Sequence, residues 1–301
     1  MTAALIIAAG KNGKGRQFDP AKEVGALSAI KRCILTFQKA GVERVVVCGD
    51  GEERIEKLVP HMNVTFLRCP SGGEMLNNVK VGLNFLQGKC TAVLITHTDV
   101  PLFSVETVRS LLGKEGAVCV PVYQGRAGHP IRLSAEQFPQ ILSYQGTGGL
   151  AGAIRASGVE RVTLEVEDQG ILANTQDSAA CESLLSYCED EKLRPAFRFQ
   201  LMRDQPFYGP GAHQLLQLTE ETGSLLEACR CMGISYSKGR KMISNLERNM
   251  GRPILERTRG GREGGASTVT ETGRALIHSY AAFCKEAEEY LTELFPKYFS
   301  L

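Results

Sequence analysis

Residues 221–272 read ETGSLLEACRCMGISYSKGRKMISNLERNMGRPILERTRGGREGGASTVTET, and the organisation of the chain follows from this stretch. A helical segment from Ser224 to Arg230 runs into the tight turn Met232-Gly233-Ile234, and a second helix starts near Ser235. That is the spacing of a helix-turn-helix. In the second helix Met242, Leu246 and Met250 recur at every fourth position with Ile243 alongside, which predicts one packed side. Ser235, Ser237, Lys238 and Lys241 are left to face outward. Between Arg230 and Arg262 stand nine Lys/Arg against two acids, Glu247 and Glu256, in a chain whose net charge is only +2. Positive charge gathered on one element is the footprint of a phosphate-binding face, whereas an ordinary solvated helix mixes the signs.

The loop from Arg257 to Gly265 follows at once. Its four glycines permit the positive φ angles of a hairpin, and Arg257, Arg259 and Arg262 supply charge-assisted bonds to phosphate or to a minor groove. The runs TGSLLEACRCMGISYSKG, GRPILERTRGGREGG and TVTETGRALI, within about Gly209 to Tyr290, resemble the winged-helix domain of molybdate-responsive ModE and, more loosely, LysR-type regulators. Double-stranded DNA is the partner this implies. Lys238, Lys241, Arg257, Arg259 and Arg262 would contact phosphate, and Ser235, Tyr236, Ser237 and Arg240 would stand nearest the base edges. For Tyr236 a core contact is the equal alternative. A long helix over 271–295, ending at Pro296, repeats Ala275, Leu276, Tyr280, Phe283, Ala287, Tyr290 and Leu291 on one side. It predicts a homodimer through the C-terminal helix, on a near-palindromic site.

A chain of 301 residues exceeds the usual single-domain size, and 43% hydrophobic residues suffice for two cores. The start MTAALIIAAG lacks a basic region followed by a long apolar run, and no stretch approaches 18 uninterrupted apolar residues. A soluble cytoplasmic protein without a membrane partner is expected. The ten cysteines are scattered through apolar runs without a CxxC pair, so they read as small buried hydrophobes and no structural metal is expected.

Before residue 189 the pattern changes. Short buried strands are expected at Ala4–Ala8, Val45–Cys48, Val64–Leu67, Ala92–Thr96, Ala117–Pro121 and Arg161–Val166. Helical spacing is carried by Leu27–Ala40, Gly51–Val59, Asn77–Leu86 and Ser104–Leu112. The alternation predicts an α/β fold with a doubly wound, mostly parallel sheet over 1–188. A linker over 189–210, contributing a strand at Phe197–Met202, leads to the second domain at 211–301. In such sheets ligands lie beyond the carboxyl ends of the strands. Two ends stand out: the glycine and lysine loop following Ala8-Ala9-Gly10, and Asp99 in THTDVP. The loop fails the Walker pattern and lacks GxGxxG.

The runs LIIAAGKNGKG, SAIKRCILTFQKAGVERVVVCGD, LITHTDVPLFSVETVRSLL, GRAGHPIRLS and GTGGLAGAI, spread over Met1 to Cys188, resemble the MobA-like nucleotidyltransferases, including molybdenum cofactor cytidylyl- and guanylyltransferases. The resemblance implies a nucleotide-diphospho-sugar transferase-like fold that takes a nucleoside triphosphate with Mg²⁺. Ala8, Ala9, Gly10, Lys11 and Gly13 would bind the nucleotide, and Asp99 would bind the metal. Gly128, His129 and Pro130 would line the acceptor side. Departures accompany the matches. Aligned without a gap, the family's phosphate-binding lysine falls on Asp19, so that Lys11, Lys14 or Lys22 must supply the cation. Two carboxylates of a later acidic motif fall on Leu172 and Asn174, where Asp168 and Asp177 are the nearest substitutes. Taken together, these features describe a DNA-binding regulator, linked to molybdenum or molybdopterin, whose transferase-like domain senses a nucleotide or cofactor through a degenerate active site. An active Mg²⁺-dependent transferase that also binds DNA is the alternative, with Asp99, Lys14 and Lys22 as its catalytic residues, and a protein-interaction scaffold is the third.

Overall fold

The run TAALII, apolar from Ala3 onward, forms an interior strand of a sheet in the computed structural model, because both faces of the strand are covered. The structure describes residues 1–9, 19–49, 55, 58–59, 62–70, 74–185, 195–257 and 266–299. The chain divides into two compact units, Met1–Glu189 and Asp190–Leu301.

In the first unit β1 (Thr2–Ile7) is followed by a small hairpin of β2 (Glu23–Val24) and β3 (Leu27–Ser28), then α1 (Ala29–Lys39), β4 (Arg44–Gly49) and β5 (Thr65–Arg68). Next come α2 (Met75–Leu86), β6 (Ala92–His97), α3 (Val105–Leu112), β7 (Val118–Tyr123), β8 (Arg126–Ala127) and β9 (Ile131–Ser134). The unit is completed by α4 (Phe138–Ser143), α5 (Gly149–Ala156), β10 (Arg161–Glu165) and α6 (Ser178–Leu185). Most of the helix expected over 51–59 lies outside the described residues.

The sheet runs β10-β7-β9-β6-β1-β4-β5. Pairing is parallel from β6 through β1 and β4 to β5 and again between β7 and β10, while β9 enters antiparallel between β6 and β7. Residues of β1 alternate between two cores. Ala3, Leu5 and Ile7 meet Leu76, Val79, Leu83 and Leu86 of α2 and the apolar faces of α4 and α5. Ala4, Ile6 and Ala8 meet Ile30, Ile34 and Phe37 of α1 and Val108 and Leu111 of α3. Each Leu, Ile, Val and Phe side chain among these contributes roughly 1.5–3 kcal/mol on burial, and the carboxyl ends of β1 and β6 are held side by side.

In the second unit β11 (Leu201–Met202) pairs antiparallel with β12 (Pro206–Tyr208), so the strand anticipated from Phe197 is confined to its last two residues. Four helices and a hairpin follow: α7 (Pro210–Thr222), α8 (Leu225–Cys231), α9 (Tyr236–Met250), β13 (Leu255–Arg257) with β14 (Ser267–Val269), and α10 (Glu271–Leu294). Serines 224 and 235 cap α8 and α9 through side-chain oxygens that accept from Glu227 N–H and Lys238 N–H, and Thr270 caps α10 in the same manner. The core takes Leu215 and Leu216 from α7, Ala228 and Cys229 from α8, Ile243 and Leu246 from α9, and Ile277 and Tyr280 from α10. The packed side of α9 is Gly239-Ile243-Leu246; Met242 and Met250 are only half-buried, because the helix leans on Gly239. On α10 the buried stripe is Gly273-Ile277-Tyr280, and Ala275, Phe283 and Tyr290 of the expected side are exposed. No helix among the described residues is long and apolar enough to cross a membrane.

At the start of α7, His213 lies with its Nδ1 3.0 Å from the Tyr208 hydroxyl, and burial pushes its imidazole down to about 4. An unfolded chain protonates this histidine near its ordinary value of about 6.5 while the folded unit resists protonation. Stability is therefore present above that value and falls as pH drops toward 4, at about 1.4 kcal/mol per pH unit. Urea titrations followed by circular dichroism should show this acid-side slope in the wild type and a shallower one in His213→Phe.

Candidate functional site

At the carboxyl edge of the first unit's sheet, three distant segments meet at one residue, Thr175. The Thr175 N–H donates to the Asp99 carbonyl at 2.7 Å, and the Thr175 hydroxyl lies 3.5 Å from Asp99 Oδ1. From the other side, the Lys22 ammonium donates to the Thr175 carbonyl. Asp99 and Thr175 are buried, and Lys22 is half-buried. Lys22 reaches this point because the β2–β3 hairpin turns the chain back ahead of α1, with Ala29 N–H donating to the Lys22 carbonyl at 2.9 Å. Asp19, by contrast, is an exposed turn residue whose Oδ1 accepts from Ala21 N–H at 3.1 Å. Of Lys11, Lys14 and Lys22, the candidates for the missing cation, Lys22 is the one within the described residues, and it stands at this edge.

Ala8 and Ala9, both buried, continue β1 to the same edge. Asn78 of α2 donates through Nδ2 to the Ala9 carbonyl at 2.8 Å. Gly10, Lys11, Gly13 and Lys14 lie outside the described residues. On the opposite flank His129 precedes Pro130 through a cis peptide bond, and its ring packs edge-on against His97 at 4.6 Å between centroids. Burial lowers the pKa of His129 and pushes that of His97 down to about 3, the His129 ring adding to the latter effect. Both rings are therefore neutral at ordinary pH and add no positive charge to the edge. His129 N–H donates to the Ile171 carbonyl at 3.0 Å, fixing the Gly128-His129-Pro130 corner to the segment that leads to Thr175.

The two substitute carboxylates hold the backbone in place. Asp168 accepts from Ser104 N–H, the Thr107 hydroxyl and Gly170 N–H at 2.8, 2.6 and 2.9 Å, and Asp177 accepts from Ala180 N–H at 3.0 Å at the start of α6. Asn174 accepts from Gln176 N–H at 2.9 Å within its own turn, and Leu172 packs against the apolar core. Among the described residues no three His, Cys, Asp or Glu side chains converge as a metal site. One buried carboxylate fits a Mg²⁺ ion that brings its remaining ligands as water and substrate phosphate.

In the second unit Ser235, Tyr236, Ser237, Lys238, Arg240 and Lys241 are all exposed on the first turns of α9. Tyr236 stands 43% exposed, which removes the core alternative. These side chains face away from α8 because a Cβ on Gly239 would come within 2.2 Å of Cys229 Sγ, so only glycine lets the two helices cross this closely. The hairpin places Arg257 opposite Ser267; Arg259 and Arg262 lie outside the described residues.

Reasoning from the sequence missed Thr175 as the meeting point and Asn78 altogether. The latter left a trace, an amide on the helix face otherwise formed by Leu76, Val79, Leu83 and Leu86.

A mostly parallel sheet covered by helices on both faces, with a lysine and a carboxylate at its carboxyl edge, defines a doubly wound α/β class of domain. Residues 4–164 match the MobA-like NTP transferase domain family, and the chain belongs to that family. A nucleotidyl transferase from Methanothermobacter thermautotroptrophicus shares the fold, with a TM-score of 0.53 and 17% identity over 62% of this chain and 99% of that one. Two curated relatives match shorter stretches. The molybdenum-pterin-binding protein MopA of Rhodobacter capsulatus is 33% identical over 75 residues, 25% of this chain and 28% of its own. The molybdenum transport protein ModE of Azotobacter vinelandii is 30% identical over 81 residues, 27% and 30% respectively. The chain thus spans less than a third of the length of either relative.

The 168–175 segment is seated by a close approach at Gly170, where a Cβ would lie 1.9 Å from the Leu102 carbonyl oxygen. Gly170→Ala must move backbone and should destabilise the first unit by about 2 kcal/mol in urea titrations. Gly113→Ala, whose Cβ would meet nothing closer than 3.9 Å, should stay within about 0.5 kcal/mol of the wild type.

Proposed function

We propose that the protein is a DNA-binding transcriptional regulator whose MobA-like unit holds a nucleotide or molybdopterin-like small molecule together with Mg²⁺. The observation that carries this reading is the exposed basic face of α9, capped at Ser235 and followed directly by a two-stranded hairpin. On it the second unit is a winged helix-turn-helix: α9 enters the major groove, Lys238 and Lys241 bind phosphate, and Ser235, Tyr236, Ser237 and Arg240 meet base edges. Arg257, Arg259 and Arg262 of the wing add contacts to the backbone or minor groove. The similarity to MopA and ModE, proteins named for molybdenum-pterin binding and molybdenum transport, supports a molybdenum-linked effector. Exposed Phe283 and Tyr290 on α10 suit pairing with a second copy, so that two half-sites lie about one helical turn apart. Sedimentation as a monomer on operator-length DNA would count against that pairing.

In the first unit Asp99 is the carboxylate for the metal, Lys22 offsets phosphate charge, and Ala8 to Gly13 with Lys11 and Lys14 form the nucleotide loop. Gly128, His129 and Pro130 bound the acceptor side. Mg²⁺, when bound with the nucleotide, screens the phosphates and polarises the α-phosphoryl group. Asp168 and Asn174 are committed to backbone hydrogen bonds, which favours holding the ligand over turning it over. The specific observation favouring an active cytidylyl- or guanylyltransferase is the Lys22–Thr175–Asp99 contact chain.

Gel shifts over a salt series test the DNA reading. The log affinity should fall linearly with log salt, and Lys238→Ala with Lys241→Ala should reduce the slope by about 0.9 per lost phosphate contact. Arg240→Ala should instead relax sequence preference, at roughly 1–3 kcal/mol for the base it reads. A salt-independent affinity would overturn the assignment. Pyrophosphate release from CTP and GTP in the presence of molybdopterin separates the two readings of the first unit. The sensor reading expects nucleotide binding weakened at least about tenfold by Lys22→Met, with no turnover; release abolished by Asp99→Ala would establish the transferase.

A further inference from the structure

Asn78 sits on the core face of α2, 1% exposed, where the other buried residues are Leu76, Val79, Gly82, Leu83 and Leu86. Its Nδ2 donates to the Ala9 carbonyl at 2.8 Å, and its Oδ1 finds no hydrogen-bond partner among the described residues. A leucine or valine would fill this place without leaving a buried acceptor exposed to no donor, so packing alone does not account for an amide. Its position supplies the reason. The ladder hydrogen bonds of β1 end with Thr98 N–H on the Ile7 carbonyl and Ala8 N–H on the Cys48 carbonyl. The Ala9 carbonyl lies beyond them, and the Asn78 amide extends hydrogen bonding past the last strand pairing, at the point where the chain leaves β1. Because α2 is clamped to the sheet through Val79, Leu83 and Leu86, all fully buried, the amide transmits a fixed position from the core to the edge.

We propose that Asn78 is a positioning residue for the nucleotide loop, holding the Ala9 carbonyl so that the segment following β1 starts from a fixed point and direction. The inference deepens the nucleotide-binding reading of the first unit and rests on it. Asn78 acts through Ala9 and is assigned no contact with the ligand.

Asn78→Asp tests this with nearly unchanged shape. A protonated carboxyl retains an O–H to donate to the Ala9 carbonyl, whereas the ionised form has only acceptors and repels it. Burial raises the carboxyl pKa, which brings the titration into the accessible range. Affinities for CTP and GTP with Mg²⁺ are measured from about pH 6 to about pH 9 on the full chain, together with amide hydrogen exchange of the peptide ending at Ala9. The ratio of variant to wild-type dissociation constants should grow at least about tenfold as pH rises. Exchange should accelerate at the end of β1 but not in β4 or α2, a distinction that a general loss of stability cannot produce. A flat ratio, or exchange raised equally across the sheet, overturns the proposal. If the wild type binds neither nucleotide, the nucleotide reading fails, and the exchange pattern alone then decides whether Asn78 positions Ala9.

Discussion

The bond on which the carboxyl edge of the first unit depends is that from the Thr175 N–H to the Asp99 carbonyl, 2.7 Å across 76 residues of chain. Buried backbone polar groups must find partners, and Thr175 satisfies both of its own at once, the N–H on Asp99 and the carbonyl on Lys22. The segment after β10, the end of β6 and the chain ahead of α1 are thereby tied to a single residue. The consequence is electrostatic as well as geometric. Lys22 and Asp99 are brought to the two backbone groups of one residue, so that a cation and a carboxylate are gathered at the same edge. Neutral His97 and His129 beside them add no competing charge.

Close approach at glycine sets both candidate surfaces. Gly170 lets the 168–175 segment touch the Leu102 carbonyl, without which Thr175 would not reach Asp99; Gly239 lets α9 settle on Cys229 of α8. In the second case the effect reaches the charges. With Gly239, Ile243 and Leu246 inward, helical periodicity forces Ser237, Lys238, Arg240 and Lys241 outward. The basic face is thus the complement of a packing stripe and needs no dedicated support.

Much of this was legible in the sequence, for identifiable reasons. Parallel strands covered on both sides must be apolar throughout, so β1, β4, β6 and β7 announced themselves within a residue or two of their limits. The antiparallel insertion of β9 was not legible, because four residues of alternating burial after Gly-His-Pro carry no mark of strand direction. Nor was α7 read, although Pro210 at its first turn and Gly223, with φ of 67°, just past its end are ordinary boundary signals. On α9 the expected Ile243 and Leu246 are buried, while Met242 and Met250 are half-buried and Gly239 completes the stripe, because closeness of approach is decided by the glycine. At the site, the ungapped alignment sets Asp19 where the family has a lysine and leaves Lys11, Lys14 and Lys22 as alternatives; spacing in a loop does not choose among them, whereas the hairpin ahead of α1 brings Lys22 to the edge.

The position of Lys22 bears on the balance of charge from which the proposed function is argued. An exposed Asp19 alone would repel phosphate, whereas a lysine at the edge offers it a favourable contact. Attraction and catalysis are different demands, however. Holding a ligand requires only a net favourable contact, while acceleration requires groups whose interaction strengthens as the transition state forms. In the proposed reading Asp99 and Lys22 meet the first demand. The second calls for further groups free to follow the moving charge, and one of the two nearby carboxylates, Asp168, already accepts three hydrogen bonds that define the backbone around Gly170. Recruiting Asp168 to a metal would unseat the segment that carries Thr175, the residue to whose backbone Lys22 and Asp99 are both bonded. The same hydrogen bonds that assemble the edge therefore restrict it, and this is why ligand holding is the reading that its geometry favours.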